Sequence, residues 1–237
     1  MMATADIHAL HAEDDEAVLR ALGLTQPRAL PAAEGAISKE ALDLLARLRA
    51  IVPRRPLFGS SAYRIAEAQA HAVRRHLDIT TAQIPTEALE ALPFLTVTYR
   101  DGFPTSGMAT RVKEGWIIVI RADEPQVRKR FSLAHELKHL LDDPYMGAKG
   151  GVLADGLYPA TPTATAHERT ERICDAFAAA LLMPRTHIQR DWLEGRTDIA
   201  YLARRYGVSR AAMDIRLRQL RFVQDTPRCA PPGREQR

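Results

Sequence analysis

The sequence predicts an α+β fold in which a small antiparallel three-stranded sheet packs on helices, with a further pair of helices toward the C-terminus. Three observations support this prediction. Apolar residues recur every three or four positions along most of the chain, which is typical of amphipathic helices. Between residues 95 and 121 the pattern changes to three short runs rich in β-branched and aromatic residues, which favour strands. Prolines and glycines separate these segments.

The bulk composition limits the class of protein. The 237 residues suffice for one good-sized domain with an appendage, and 46% of them are hydrophobic, enough for a core. A net charge of +4 and a pI near 9.3 are compatible with an acidic partner or nucleic acid but establish neither. The acidic N-terminus lacks the features of a secretory signal, and no apolar run approaches the roughly 20 residues of a membrane span. We therefore expect a cytoplasmic protein.

The first elements are helical. Residues 1–60 are predicted to form a helical arm and linker, with a helix over residues 41–52 that prolines and a glycine end. An alanine- and arginine-rich segment predicts a helix over residues 61–77. A short helix over residues 85–92 lies between two prolines.

The sheet follows. Strands are predicted at Leu95–Arg100, Gly107–Val112 and residues 116–121, with a tight turn at residues 113–115 joining the last two. We expect the three strands to form an antiparallel meander.

The remaining elements are again helices. They are predicted at residues 126–141, 166–182, 199–206 and 210–222, and the second of them stops before Pro184. The glycine-containing loop at residues 147–156 is either a lid or a simple connection. The proline-rich tail, residues 225–237, is predicted to be disordered.

The stretch FSLAHELKHLLDD, Phe131–Asp143, contains candidate metal ligands and a candidate catalytic base. His135 and His139 are four residues apart, so on a helix both rings aim at one point. Zn²⁺ binds imidazole nitrogens in a tetrahedral shell and in catalytic sites keeps one position open for water. Glu136 lies on a neighbouring part of the face and can act there as general base without being a ligand.

A site with two histidines needs a third protein ligand, which the helix at residues 166–182 can supply. Glu171 is the preferred ligand, and Asp175, one turn on, can accept the N–H of a ligand histidine and fix its tautomer. Glu168 competes with Glu171 for the role of ligand, and His167 lies farther off this face.

The alternative to a metal site is a polar helix face that happens to carry histidines. Both histidines lie in an otherwise apolar segment, where buried polar side chains need partners, and this favours the metal. Lys138, between them, would disfavour a metal ion unless it points to solvent, as we expect. A purely structural zinc site would not need Glu136 and would close its fourth position with another ligand. The motif therefore favours an enzyme.

Two segments together resemble a known family. RFSLAHELKHLL followed by ERICDAFAAALLMP is similar to the ImmA/IrrE metallo-endopeptidases, whose HExxH helix precedes a helix of the pattern ExxA[DN]xFAxxLLMP. The resemblance covers about Tyr63 to Phe222, and Cys174 stands where alanine is commoner. It implies a zincin-like, gluzincin-like peptidase fold, with His135, His139 and Glu171 as zinc ligands and Glu136 as the catalytic base.

The resemblance also implies a function. It predicts a zinc-dependent endopeptidase whose protein substrate is a helix-turn-helix repressor of a mobile element, a stress response or a toxin–antitoxin system. The alternative is a non-proteolytic regulatory module that contacts a transcription regulator or DNA. The substrate is expected to lie extended, adding a strand to the edge of the sheet. The candidates for stabilising the transition state are Tyr145, Tyr158, Arg185 and His187.

The predicted domains are a helical arm and linker at 1–60, a zinc metallopeptidase domain at 61–195, helix-turn-helix-like C-terminal helices at 196–224 and the tail at 225–237. The segment DIAYLARRYGVSRAAMDIRLRQL is rich in arginine, which would suit phosphate contacts with DNA. Because the family resemblance extends into this segment, we favour a helical pair that completes the peptidase fold. Direct DNA binding is possible but not favoured.

Overall fold

The computed structural model describes residues 37–112, 115–146, 153 and 156–223, and over these residues the fold is α+β, as predicted. The elements are α1 (Lys39–Arg49), α2 (Gly59–His76), α3 (Thr86–Glu90), β1 (Leu95–Arg100), β2 (Gly107–Val112), β3 (Gly115–Arg121), α4 (Gln126–Asp142), a 3₁₀ turn (Asp143–Tyr145), α5 (Ala166–Leu182), α6 (Arg185–Leu193), α7 (Ile199–Tyr206) and α8 (Arg210–Gln219). The predictions of a disordered tail, of the turn at residues 113–114 and of a lid in the glycine-containing loop fall wholly or mostly outside the described residues.

The helices begin where the sequence provides caps. Thr165 and Glu168 form a reciprocal capping box at the start of α5, and Asp198 and Ser209 cap α7 and α8 with their side chains. Helix α6 was missed by the prediction, which left residues 185–195 without an element. Pro184 stands directly before its first residue, and Gly195, with φ of +80°, follows its end. These are ordinary start and stop signals.

The sheet is mixed, and the predicted antiparallel meander is wrong for its first strand. The strand order is β1-β3-β2, with β1 parallel to β3 and β2 antiparallel to it. The physical reason lies in β3, where every residue from Gly115 to Ile120 is buried. Such a continuous apolar run belongs in the centre of a sheet, whereas β1 and β2 are partly exposed and form its edges.

Helix α4 is the central element of the molecule. It packs against β2 and β3 on one side and against α5 on the other, while α2 packs against α5 and α1 contacts both α2 and α4. A single apolar core runs through all these elements and includes Leu44, Val73, Ile118, Leu137, Phe177 and Leu217. This core continues across residues 60 and 195, and the division into domains stays a prediction. None of the described helices is long and apolar enough to cross a membrane.

The C-terminal helices α7 and α8 pack onto this core. They are joined through Gly207, whose φ of +63° ends α7, and the buried Arg130 of α4 donates to the Gly207 carbonyl at 3.1 Å. Arg216 of α8 is also buried and donates to the carbonyl of Met183 at 3.2 Å. Arg216 belongs to the arginine-rich segment considered for DNA contact, but it points into the core.

Candidate metal centre

The two histidines of α4 converge because of the helical pattern around them. The apolar residues of α4 are buried in the core, which leaves His135 and His139 half-buried on the side that faces α5. Their Nε2 atoms lie 3.1 Å apart, and the ring planes are inclined at 53°. Both lone-pair positions therefore address the same small volume between the two helices.

Glu171 of α5 closes this group from the opposite side. Its Oε2 lies 3.2 Å from Nε2 of His135, and its Oε1 lies 3.3 Å from Nε2 of His139. Tetrahedral zinc with bonds of about 2.0–2.1 Å requires its ligand atoms to be about 3.3 Å apart. The donor set and its spacing thus fit a zinc ion held by two imidazoles and one carboxylate.

Asp175, one turn beyond Glu171, holds the His135 ring from behind. Its Oδ1 lies 2.9 Å from Nδ1 of His135. A carboxylate in this position accepts the Nδ1–H proton and leaves the Nε2 lone pair directed at the cluster. Asp175 itself is 60% exposed, so it can reach His135 without a large cost of desolvation.

The electrostatics of the cluster favour a positive charge between its members. Burial alone would lower the pKa of His135, but hydrogen bonds to Asp175 and Glu171 outweigh burial and raise the pKa to about 9. Hydrogen bonds from His135 and His139 hold the pKa of Glu171 well below its usual range, although burial opposes them. A divalent cation satisfies the same demand for positive charge, which supports the fit of a metal.

Glu136 packs against the edge strand β2. Its carboxylate accepts a hydrogen bond from the backbone N–H of Ala109, and burial raises its pKa, while the two histidines oppose the shift. A Cβ atom added at Gly107 would lie 2.9 Å from Cγ and 3.1 Å from Oε1 of Glu136. Glu136 therefore rests against a part of β2 where only glycine leaves enough room.

The alternative ligands considered from the sequence occupy other positions. Glu168 is engaged in the capping box of α5, where its carboxylate accepts from the backbone N–H of Thr165 at 2.8 Å. The side chain of His167 is 82% exposed, and its Nδ1 lies 3.9 Å from Oε1 of Glu171. Neither residue reaches the two histidines as closely as Glu171 does.

Cys174 is another candidate for the third ligand, beside Glu171. Its Sγ and one nitrogen from each of His135 and His139 all lie within 4.8 Å of one another. The carboxylate of Glu171 is closer to both rings and ionised, whereas burial raises the pKa of the Cys174 thiol well above its usual value. Since zinc binds the thiolate, Glu171 is the better ligand of the two.

Lys138 does not point to solvent, contrary to expectation. It is fully buried, and its Nζ donates to Asp142 at 2.6 Å, to Gln69 at 2.7 Å and to Tyr158 at 3.0 Å. The Tyr158 hydroxyl also donates to Asp142 at 2.7 Å. Because Asp142 neutralises Lys138, the buried cation is compatible with a metal bound by the two histidines.

The four candidates for transition-state stabilisation make contacts elsewhere. The hydroxyls of Tyr145 and Tyr158 donate to the carbonyl of Arg49 and to Asp142. Arg185 lies 4.0 Å from Glu67, and His187 lines a cavity beside α7. The structure thus gives none of them a contact with the histidine cluster.

The contact between Glu136 and β2 was not predicted from the sequence. One signal was available, because an isolated glycine in a strand often marks a close approach of another group. The sequence does not specify which group approaches, since Gly107 and Glu136 are brought together only by packing of α4 on the sheet.

Comparison with known proteins adds a family. Residues 82–218, more than half of the chain, match the family model of the M78 peptidases, described as the IrrE N-terminal-like domain. No curated protein sequence gives a significant match. The solved structure of a Mycobacterium tuberculosis transcriptional regulator is similar with a TM-score of 0.48 and 17% identity, over 78% of this chain and 53% of that one. The chain thus spans about half the length of that regulator.

Proposed function

The chain belongs to the peptidase family of IrrE N-terminal-like domains, and from this membership we propose that it is a zinc-dependent endopeptidase. The observation that carries the proposal is the grouping of His135, His139 and Glu171. The two Nε2 atoms lie 3.1 Å apart, and each lies within 3.3 Å of one carboxylate oxygen of Glu171, a spacing that fits zinc. These three residues are the proposed ligands, and Asp175 orients His135. We also propose that the protein acts in the cytoplasm.

Glu136 is the proposed catalytic base. Zinc at this site would supply Lewis acidity, which polarises the scissile carbonyl and makes water more acidic. Glu136 accepts a proton from the attacking water and delivers it to the leaving amine. Its burial and raised pKa suit both steps, since the carboxyl must bind and then release a proton near neutral pH.

The strand order supports a position for the substrate. Because β3 lies in the centre, β2 is an edge strand, and it is the edge that contacts Glu136 through Ala109. An extended peptide added along β2 would run past the proposed base with its backbone held by the strand. The motifs shared with the ImmA/IrrE peptidases favour a protein substrate of the helix-turn-helix repressor class, from a mobile element, a stress response or a toxin–antitoxin system.

Glu136→Gln tests the reaction, because it removes the base but keeps the size of the side chain. The zinc-loaded proteins are incubated with a proteome-derived peptide library, and new amino termini are labelled and identified by mass spectrometry. We expect new termini with the wild type and a loss of about 10²–10⁴-fold in the rate of their formation with the variant.

Zinc content serves as the control, since Glu136→Gln should bind as much zinc as the wild type. Equal cleavage by both proteins would contradict the proposed role of Glu136. If the zinc-loaded wild type produces no new termini, the non-proteolytic binding module becomes the better account.

A further inference from the structure

A second concave site lies away from the metal cluster. It is a cavity of about 230 Å³ bounded by α6, α7 and the segment Thr80–Ala82 between α2 and α3. It shares no lining residue with the cluster of His135, His139 and Glu171. Its volume is below the roughly 300–1,000 Å³ of sites for drug-sized ligands, so its natural occupant is small.

The one carboxylate in the lining is fully engaged. Asp191 is 2% exposed and accepts hydrogen bonds from Nε of Arg196, Nε of Arg205 and the hydroxyl of Tyr206, each at 2.8 Å. Burial alone would raise its pKa, but these three hydrogen bonds outweigh burial and lower the pKa. Asp191 therefore fixes Arg205 at the wall and leaves little capacity to bind a cation.

The rest of the charge in the lining is positive. Arg190 is exposed at the cavity, and its guanidinium has no hydrogen bond or ion pair within the described part of the chain. His187 is half-buried beside it, and its pKa is lowered by burial first and then by the charges of Arg74 and Arg190. An anion in the cavity would therefore meet the guanidinium groups of Arg190 and Arg205 and an imidazole that already senses the charge of Arg190.

The third wall is held in place by a buried arginine. The guanidinium of Arg74 donates to the carbonyl of Thr81 and, at 3.0 Å, to the carbonyl of Leu181 near the end of α5. This bridge fixes the segment that carries Thr80 and Thr81 against the helical core. Their hydroxyl groups add donors or acceptors to a site whose net charge is positive.

We propose that this cavity binds the phosphate group of a small phosphate monoester. Planar guanidinium groups match the oxygens of phosphate in two-bond geometry, and the imidazole and hydroxyl groups can serve the remaining oxygens. Duplex DNA fits less well, because it requires a stripe of free cations along the surface. In α8, Arg216 is buried and Arg218 pairs with Asp214 at 3.0 Å, so the stripe is interrupted.

The test uses inorganic phosphate as the probe. Binding to the full-length, zinc-loaded protein is measured by calorimetry and by the thermal midpoint, with sodium chloride at matched ionic strength as the reference. We expect saturable binding by the wild type and a loss of affinity of about tenfold or more in Arg190→Gln. The matched control is Arg204→Gln, an exposed arginine of α7 outside the cavity, which should bind phosphate as the wild type does.

Three results would overturn the proposal. One is the absence of saturable phosphate binding by the wild type. Another is equal phosphate affinity in the wild type and Arg190→Gln, which would place the ion elsewhere, for example at the zinc. The third is binding of a short DNA duplex that depends on Arg190 while phosphate does not bind, which would assign this surface to nucleic acid.

Discussion

At the scale of single residues, the contact between Glu136 and β2 determines whether the proposed base can occupy its position. The carboxylate is held by the N–H of Ala109, and Gly107 leaves the space in which it lies. The backbone of Gly107 has no positive φ, so any L-residue could adopt it. Glycine is required at this position for space alone.

Gly107→Ala should therefore reduce activity with only a small effect on stability. The added methyl group would meet Glu136 at 2.9–3.1 Å and displace its carboxylate, and a misplacement of about 1 Å can reduce the rate about 10²-fold. Peptide cleavage, zinc content and the thermal midpoint are measured together. Zinc content should match the wild type, and the thermal midpoint should fall only slightly, because the added methyl group would also lie 3.2 Å from Cδ1 of the buried Ile120.

Gly102→Ala is the matched control for this variant. It adds the same methyl group into open space, but at a φ of +65°, so it should lower the thermal midpoint and leave cleavage unchanged. Full activity in Gly107→Ala would show that Glu136 does not depend on the space beside β2.

The candidate site could be proposed from the sequence at this scale because its residues lie at fixed helical spacings. His135 and His139, like Glu171 and Asp175, are pairs four residues apart, and a helix places such pairs on one face whatever the rest of the fold does. Gly107 and the direction of Lys138 could not be predicted in this way. Both depend on which elements surround α4.

At the scale of elements, a buried polar network ties α4 to its neighbours. Lys138 of α4 donates to Asp142 of the same helix, to Gln69 of α2 and to Tyr158, and the Tyr158 hydroxyl donates to Asp142. Gln69 donates in turn to the carbonyl of Leu48 in α1 at 3.3 Å. A buried ion pair of this kind adds little net stability, but removing one partner leaves the other charge uncompensated. The network therefore fixes how α4 sits among the helices.

Lys138→Met should lower the free energy of unfolding of the metal-free protein by about 3–5 kcal/mol, because Asp142 is left buried without its cation. Replacing both partners, as in Lys138→Met with Asp142→Leu, should recover most of this loss. Urea unfolding of each variant measures the effect. Arg128→Met, an exposed position of the same helix, is the control and should change stability by about 0.5 kcal/mol or less. A double variant as unstable as Lys138→Met would contradict this account.

The elements themselves were predicted more reliably than their arrangement. Residues 166–182 and 199–206 form helices with the expected bounds, because caps, prolines and apolar periodicity act locally. The strand order was predicted wrongly, since neighbours in sequence need not be neighbours in a sheet. The continuous apolar run of β3 was the available signal that it lies in the centre.

At the scale of the whole molecule, the proposed zinc site joins two layers of the fold. His135 and His139 belong to α4, which covers the sheet, whereas Glu171 belongs to α5, which packs on α2. A metal ion bound by all three would stabilise the native state by mass action, by about 2.7 kcal/mol at a free concentration 100 times the Kd. The prediction of this site needed only the two motifs, while its position between two layers follows from the packing.

The most direct test of the account is the zinc content of the purified protein and of Glu171→Ala, with Glu168→Ala as the control. Both variants remove a glutamate from α5, but Glu168 caps the helix while Glu171 faces the histidines. We expect about one zinc per chain in the wild type and Glu168→Ala, and little in Glu171→Ala. The zinc content per chain is measured by elemental mass spectrometry after dialysis against zinc. A wild type that binds no zinc, or Glu171→Ala that keeps it fully, would contradict the proposed centre.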